Sequence, residues 1–400
     1  MDPALLNSEQ ETLRLAAAIG LLVMSAFCAN LLLLSDRHLH IRLPLALFFL
    51  ANAIELLALP ASYLLSGDNP EFLTLVFELA EIPLTMVQPL LLWLYVHRLT
   101  DDPTQESARP RWILHGVPIV FAVALYLYIL LLPPSLQAGL QPGVGDLVIW
   151  QTIALVGLYG ATALFYALVP IYAVLILQRL RRYRSRLKDL FASTESRELA
   201  WAWWLAAAVI VFWAFNSIAI LASVFDLRFP VGDVFESLLA AILLRYVLMW
   251  SIALWGTRQK PGIVVPAEPA PAGDAEAPPM RKYGKSGLDD TRLDRLAGKI
   301  EALMADQHLY LEPDLSLWDL ANRIGVTTHY ASQALNEKIG ERFFDYVNRW
   351  RIRDATDRLR NTDATILTIA YDVGFNSRSS FYTAFKRELG MTPSQYRASA

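Results

Sequence analysis

Five ionisable side chains stand where ionisable side chains are costly. Glu55, Glu78, Glu81, Glu236 and Arg245 fall inside long apolar stretches of a 400-residue chain. A charge held at the centre of a bilayer costs a few kcal/mol unless it finds a partner or a wet cavity. At a rise of about 1.5 Å per residue, Glu55 and Arg245 both lie about 15 Å below the outer boundary, Glu81 about 12 Å and Glu78 about 8 Å. Glu236 lies near the outer edge. Two readings of this set stay open. In one, Arg245 pairs with Glu55 or Glu81 and the pair fixes helix packing. In the other, the residues line a polar cavity open to the outside, with Pro83 and Pro89 breaking the helix beside it. Asn52, Gln88 and Asn216 can add polar contacts to either. Bond-making chemistry lacks its parts, because no nucleophile or metal set accompanies the carboxylates. His38, His40, His97 and His115 sit in or beside loops with no partner set. Cys28 is the only cysteine, which excludes an internal disulfide. No catalytic residue, metal or cofactor is expected.

The elements that carry these residues are apolar helices. Hydrophobic residues make up 55% of the chain and charged residues 18%, against about 25% charged in a typical soluble protein. The average hides two kinds of sequence: residues 1–256 hold 34 charged residues, whereas the much shorter stretch 288–400 holds 31. Seven apolar runs, near 13–34, 43–65, 73–96, 112–132, 147–177, 199–221 and 234–255, reach the roughly 20 residues that cross a hydrocarbon core. No basic segment or convincing cleavage site flanks the first, so it reads as a retained span rather than a removed signal peptide. Trp93, Trp112, Trp150, Trp201, Trp203, Trp204, Trp250 and Trp255 gather at run ends, as an interfacial belt requires.

Charge sets the expected orientation. Loops one, three and five carry Arg37, Arg42, Arg98, Arg109, Arg111, Arg179, Arg181, Arg182, Arg184, Arg186, Lys188 and Arg197, while loops two, four and six carry only Arg228. Positively charged loops stay in the cytoplasm, so the N-terminus is expected outside and, after seven spans, the C-terminus inside. The bacterial inner membrane is the expected location. Leu177, Leu180, Tyr183, Leu187 and Leu190 keep helical spacing through the basic run, which reads as a helix extension laying arginines on anionic headgroups.

A Pro/Ala-rich stretch, KPGIVVPAEPAPAGDAEAPP, marks residues 257–287 as a flexible linker. Beyond it the chain repeats itself. Leu317, Leu320, Ala321, Ile324, Gly325 and Val326 match Ile366, Ile369, Ala370, Val373, Gly374 and Phe375 at an offset of 49. Ala334, Leu335, Gly340 and Tyr346 match Ala384, Phe385, Gly390 and Tyr396 at an offset of 50. An Ala one turn before a Gly lets two helices cross closely, and the Gly permits a left-handed turn. Thr327 or Thr328 in the first copy and Ser377 in the second then cap the next helix. Each copy is a helix-turn-helix, at about 315–340 and 364–390.

The second copy, IAYDVGFNSRSSFYTAFKRELGMTPSQYR, resembles the signature of the AraC/XylS family of DNA-binding domains. The resemblance covers residues 290–400 and is silent on the first 256. It implies two recognition helices in successive major-groove segments, joined by one long helix here placed at Phe344 to Arg360. It assigns base contacts to His329, Ser332 and Gln333 in the first copy and to Arg378, Ser379, Tyr382 and Thr383 in the second. Arg378 is the strongest of these, since a guanidinium pairs bidentately with a guanine edge. Lys386, Arg387 and Arg397 fall to phosphate contacts. Asn336, Glu337 and Lys338 depart from the family pattern of two lysines and an acid, which puts one first-copy phosphate contact in doubt. The net charge of 288–400 is −1, from 15 basic and 16 acidic residues. Its positive surface must therefore be local, and is expected on Arg349, Arg351, Arg353, Arg358 and Arg360, with Asp289, Asp290 and Asp294 at the opposite end.

The whole sequence reads as an all-α protein: a seven-helix transmembrane bundle at 1–256, the linker, and a cytoplasmic double helix-turn-helix domain at 288–400. The function that fits is a membrane-embedded one-component transcription regulator, with Glu55, Glu78, Glu81 and Arg245 as its intramembrane sensing or switch residues. The expected partners are double-stranded promoter DNA, the lipid bilayer, a small-molecule or envelope signal and, as a further candidate, a second copy in a homodimer. A transporter or membrane enzyme fused to an autoregulatory DNA-binding domain is the alternative. The missing inverted or parallel repeat argues against the transporter.

Overall fold

The computed structural model describes residues 3–34, 39–58, 60, 70–101, 112–137, 148–195, 197–224, 238–258, 263 and 290–399. These form helices without a named strand, with one isolated antiparallel bridge between Phe191 and Ser316. Glu236, Arg37, Arg109, Arg111, Arg228, the side chain of Asn216 and nearly all of the linker lie outside the described residues. The chain divides into two compact units, residues 1–180 with 199–261 and residues 181–198 with 262–400.

In the first unit every expected apolar run has its helix: α1 Pro3–Leu33, α2 Leu39–Leu56, α3 Pro70–Leu99, α4 Trp112–Leu130, α6 Ile149–Leu190, α7 Ala200–Val224 and α8 Leu238–Arg258, with a short α5 at Pro134–Gln137. Among the described residues, four stretches are long and apolar enough to cross a membrane: Leu15–Leu33, Leu39–Leu56, Leu75–Leu99 and Ile149–Leu190. Leu114–Leu130 and Ala200–Val211 are shorter apolar stretches. Neighbours in sequence pack together, α1 on α2, α2 on α3 and α3 on α4, and α8 lies against α1 and α7. Polar groups are spent on cross-helix bonds. Ser25 Oγ donates to Asn52 Oδ1 at 3.1 Å, Tyr95 Oη to the Gly256 carbonyl at 2.9 Å and Tyr246 Oη to the Ala17 carbonyl at 3.1 Å. Large apolar side chains cover the outside, among them Phe27, Leu114, Val120, Val156, Trp204 and Trp250. A surface of that kind is normal in lipid and unusual in water.

The second unit shows the duplication as geometry. Its helices are α9 Asp290–Asp306, α10 Leu317–Ile324, α11 Thr328–Ala334, α12 Phe343–Asn361, α13 Ile366–Asp372, α14 Arg378–Leu389 and α15 Pro393–Ser399. In the first copy α10 opens on a reciprocal cap, Ser316 Oγ accepting from Asp319 N and Asp319 Oδ2 accepting from Ser316 N. It ends on Gly325 at φ 71°, and Val326 N donates to the Ala321 carbonyl at 3.0 Å. In the second copy α13 is capped by Thr365, Gly374 sits at φ 94°, and Phe375 N donates to the Ala370 carbonyl, again at 3.0 Å. Each of these turn residues is displaced by 49 from its counterpart, as in the sequence. The copies differ at the next step. Ser377 Oγ accepts from Ser380 N to cap α14, whereas Thr327 occupies the cap position of α11 without a side-chain cap bond. After Ala334 the first copy widens into a π-helical turn, Leu335–Ile339, over the Asn336-Glu337-Lys338 departure.

Residues 181–198, grouped by composition with the apolar half, cluster with this second unit. Tyr183, Leu187, Leu190 and Phe191 are buried, so the apolar face of the helix extension is covered by protein. Ala192 N donates to the Leu315 carbonyl at 2.9 Å, and Ser193 Oγ to the Pro313 carbonyl at 2.8 Å. The Phe191 and Trp318 rings lie 5.7 Å apart.

At the centre of the unit is Arg351 of α12, a fully buried side chain. Its guanidinium donates to the Tyr310 carbonyl at 2.8 Å, the Glu312 carbonyl at 2.7 Å and Ser193 Oγ at 3.3 Å. Burial pushes its pKa down to about 10, opposed by Glu195 and Asp314, so it stays charged at neutral pH. Gly374 lies against the same group. A Cβ there would stand 2.8 Å from the Tyr310 carbonyl, 2.9 Å from that of Leu311 and 3.1 Å from Arg351 Nε, while a Cβ on Gly325 meets nothing within 4 Å.

The two turns therefore respond differently to the same substitution. Gly325→Ala pays only the left-handed backbone, about 1–2 kcal/mol. Gly374→Ala adds a clash with fixed carbonyls and is expected to exceed that by a further 1–3 kcal/mol, roughly the cost of overpacking. Hydrogen exchange at the Val326 and Phe375 amides, measured in the full chain, checks this; equal loss of protection at both sites would refute the crowding at Gly374.

Candidate functional site

The second helix of the second helix-turn-helix, α14, is built to present one face. Phe381, Ala384 and Phe385 are buried in a cluster with Ile352, Ala355, Leu359, Ile369 and Phe375. That register turns Arg378, Ser379 and Thr383 outward, with Tyr382 partly covered. Arg378 stands at the first turn, where a helix entering a major groove meets the base edges. Its guanidinium lies 5.1 Å from the centre of the Tyr382 ring, which restricts a long, flexible side chain before any contact is made.

Its counterpart in the first copy, α11, is presented by the same logic, with Ala331, Ala334 and Leu335 inward. His329 is exposed and Ser332 and Gln333 are half-buried. The last two are engaged within the helix: Asn336 Nδ2 donates to Ser332 Oγ at 3.3 Å, and Gln333 Nε2 to Glu337 Oε1 at 3.2 Å. Reading a base with Gln333 requires breaking that bond. Lys338 is turned away, held by Asp290 at 2.5 Å and Asp294 at 2.9 Å, and hydrogen bonds to those carboxylates raise its pKa. The acidic end of α9 thus neutralises Lys338 instead of standing apart from the first copy.

The three expected phosphate contacts are not equivalent. Lys386 is exposed. Arg387 is tied to Asp345 of α12 at 2.7 Å and to Glu388 at 3.2 Å, and Arg397 donates to the Ala364 carbonyl at 2.7 Å. Both arginines brace helices as well as carrying charge. The arginines of α12 divide in the same way. Arg351 is interior, Arg349 pairs with Glu341 at 2.9 Å and Arg358 with Asp354 at 2.8 Å, while Arg353 lies over Trp350 and Arg360 over Tyr396. The positive surface expected of Arg351 is absent because desolvated carbonyls claim its guanidinium. Nothing in the sequence around Arg351 separates it from its neighbours; only its register on α12, three residues before Asp354 and one before buried Ile352, carries a signal.

In the first unit, Arg245 and Glu55 are brought together, Nη2 to Oε1 at 2.7 Å. Gln88 Nε2 donates to the other carboxylate oxygen, Oε2, also at 2.7 Å. Glu55 is thus held on both oxygens from α8 and α3. Glu78 and Glu81 lie on exposed positions of α3. Gln88 also lines an apolar cavity of about 190 Å³, walled by Leu92, Phe165, Tyr172, Trp201 and Leu248. Among the described residues no group of three or more potential metal ligands is found.

Comparison with known proteins places the C-terminal residues. Residues 320–399 match the helix-turn-helix domain family. A putative AraC-like transcription regulator of Streptomyces lividans is 39% identical over 79 residues, 20% of this chain and 26% of that protein. One of Streptomyces antibioticus is 32% identical over 106 residues, 26% of this chain and 35% of that protein. An uncharacterized HTH-type transcriptional regulator of Staphylococcus aureus strain COL is 34% identical over 113 residues, 28% of this chain and 14% of its own length. The chain thus spans about a third or less of the curated relatives it matches. What it shares with them, residues 320–399, is a helix-turn-helix domain of the AraC type.

Proposed function

We propose that the chain is a membrane-embedded one-component transcription regulator, in which the apolar helices respond to a signal outside or within the bilayer and the helix-turn-helix domain reads promoter DNA in the cytoplasm. The observation that carries this reading is the pairing, in one chain, of a lipid-compatible helical unit with two geometrically matched helix-turn-helix units whose outer faces are exposed. The charge bias of the loops supports a cytoplasmic C-terminus. The names of the relatives supply the transcriptional context. Promoter DNA, bilayer lipid, an envelope or small-molecule signal and a homodimer are the partners this reading needs.

Base reading and phosphate binding separate in an affinity measurement on the full-length protein in lipid nanodiscs, across a set of duplexes and salt concentrations. Arg378→Ala should relax preference at one base pair, at a cost of roughly 1–3 kcal/mol, whereas Lys386→Ala should weaken all duplexes about equally and flatten the salt slope by about one. Equal weakening of every duplex by both changes would remove α14 from base reading.

The Arg245–Glu55–Gln88 arrangement supports a switch. Arg245 lies on α8, the last helix before the linker, and an ion pair that holds one of two helix arrangements shifts their populations when it is lost. Arg245→Met should lock promoter output on or off while protein still accumulates in membranes, and adding Glu55→Gln should raise membrane levels again because no unpaired charge remains. Reporter output and membrane levels measured together decide it; normal regulated output from Arg245→Met leaves the pair a packing feature.

A further inference from the structure

Residues 181–198 arrive from α6 and leave into α7, so by sequence they are a connection between two apolar helices. Structurally they are a component of the DNA-binding unit. The end of α6 turns Leu187 and Leu190 inward, and Phe191, Ala192, Ser193 and Thr194 follow as a buried run. A surface loop does not bury four consecutive residues unless something receives them. The receiver here is the entry to the first helix-turn-helix, through main-chain bonds that no side-chain exchange would supply: Ala192 N to the Leu315 carbonyl, and the bridge from Phe191 to Ser316. Ser316 is the residue that caps α10.

The run also touches the second helix-turn-helix at one remove. Ser193 Oγ donates to the Pro313 carbonyl and accepts from Arg351 Nη1. Arg351 Nε in turn binds the Tyr310 carbonyl, against which Gly374 of the second turn is packed without room for a methyl group. The run is therefore linked to both copies, to the start of α10 through Ala192 with Leu315 and Phe191 with Ser316, and to the second turn through Ser193, Arg351 and Gly374. Flanking contacts hold the segment from outside: Arg342 Nη1 donates to Ser185 Oγ at 3.0 Å, and Lys188 Nζ lies 5.4 Å over the Phe344 ring. His329, Arg378, Ser379 and Thr383 stay exposed while the segment is docked.

We propose that residues 181–198 form a clasp that holds the two helix-turn-helix units in the mutual placement that fits successive major-groove segments, so that α6, and not the Pro/Ala-rich linker, carries control to the DNA-binding domain. This rests on the DNA-reading function above. It assigns the docked state as the DNA-competent one. Two units joined by one helix must present their faces about one turn of duplex apart, about 34 Å. Small rotations between them are costly to binding because every contact on one half-site is lost together. Loss of the clasp frees Ser193, exposes Phe191 and leaves one Arg351 proton unpaired.

The test uses the full-length protein in nanodiscs of phosphatidylethanolamine and phosphatidylglycerol, and a duplex selected from a random pool by the wild type. Ala192→Pro removes the single N–H that binds Leu315, while Ala192→Gly keeps it. Ala192→Pro is expected to weaken the selected duplex at least tenfold and to lose protection over one of the two half-sites. Ala192→Gly and a ten-residue Gly/Ser insertion after Ala270 are expected to stay within twofold of wild type. Ser193→Ala, which leaves the backbone intact, should fall between, so a folding failure of the proline variant does not decide the matter. Wild-type affinity and both protections in Ala192→Pro and Ser193→Ala, or a large loss from the linker insertion alone, would overturn the clasp. If the wild type selects no duplex, the DNA-reading function itself falls, and the clasp with it.

Discussion

Much of the C-terminal unit depends on one buried guanidinium. A charged group without solvent is tolerable only when its protons are taken up, and Arg351 meets that condition with two main-chain carbonyls of the 309–312 turn and one hydroxyl of the 191–194 run. The arrangement draws two separate chain segments onto α12. It also explains why Gly374 has no Cβ, since the carbonyls that accept from Arg351 crowd that position. Tyr310, whose carbonyl accepts from Arg351, hydrogen-bonds through its hydroxyl to Asp354 one turn further along α12; burial, reinforced by that carboxylate, pushes its pKa up to about 12.

The apolar unit solves the same problem among apolar helices. Its helices spend hydroxyls, an amide and one carboxylate on each other and turn hydrocarbon outward. Glu55 is the clearest case: both oxygens are occupied, by a guanidinium on one side and a neutral amide on the other. An amide partner would keep one bond to Glu55 if the cation left, as the proposed switch requires.

The pattern-level features were legible because they are periodic. Helices lie on the apolar runs, four of them holding stretches long and apolar enough to cross a membrane among the described residues, and the duplicated turns appeared at the offset read from Gly325 and Gly374. The faces of α11 and α14 followed from the spacing of Ala331, Ala334, Phe381 and Phe385. What was not legible depends on partners distant in sequence. Arg351 reads like its neighbours on α12, and only the arrival of Tyr310, Glu312 and Ser193 distinguishes it. Leu187 and Leu190 have the spacing of a helix face whether lipid or protein covers it, so composition assigned them to headgroups and tertiary contacts assign them to the DNA-binding unit. Arg387 looks like a phosphate ligand until Asp345 is placed beside it. Of the alternatives for Arg245, the sequence could not separate Glu55 from Glu81, because depth along a helix axis carries no information about rotation around it.

The central claim is that a sequence-reading domain works while its own chain is anchored in a membrane. Cross-linking in the native host, isolation of membranes and sequencing of the DNA retained with this protein test it most directly. The account predicts a small set of discrete promoter-proximal sites enriched with the membrane fraction and lost when Arg378 is changed to Ala. Uniform coverage of the genome, or the same sites recovered only with soluble protein, would contradict it.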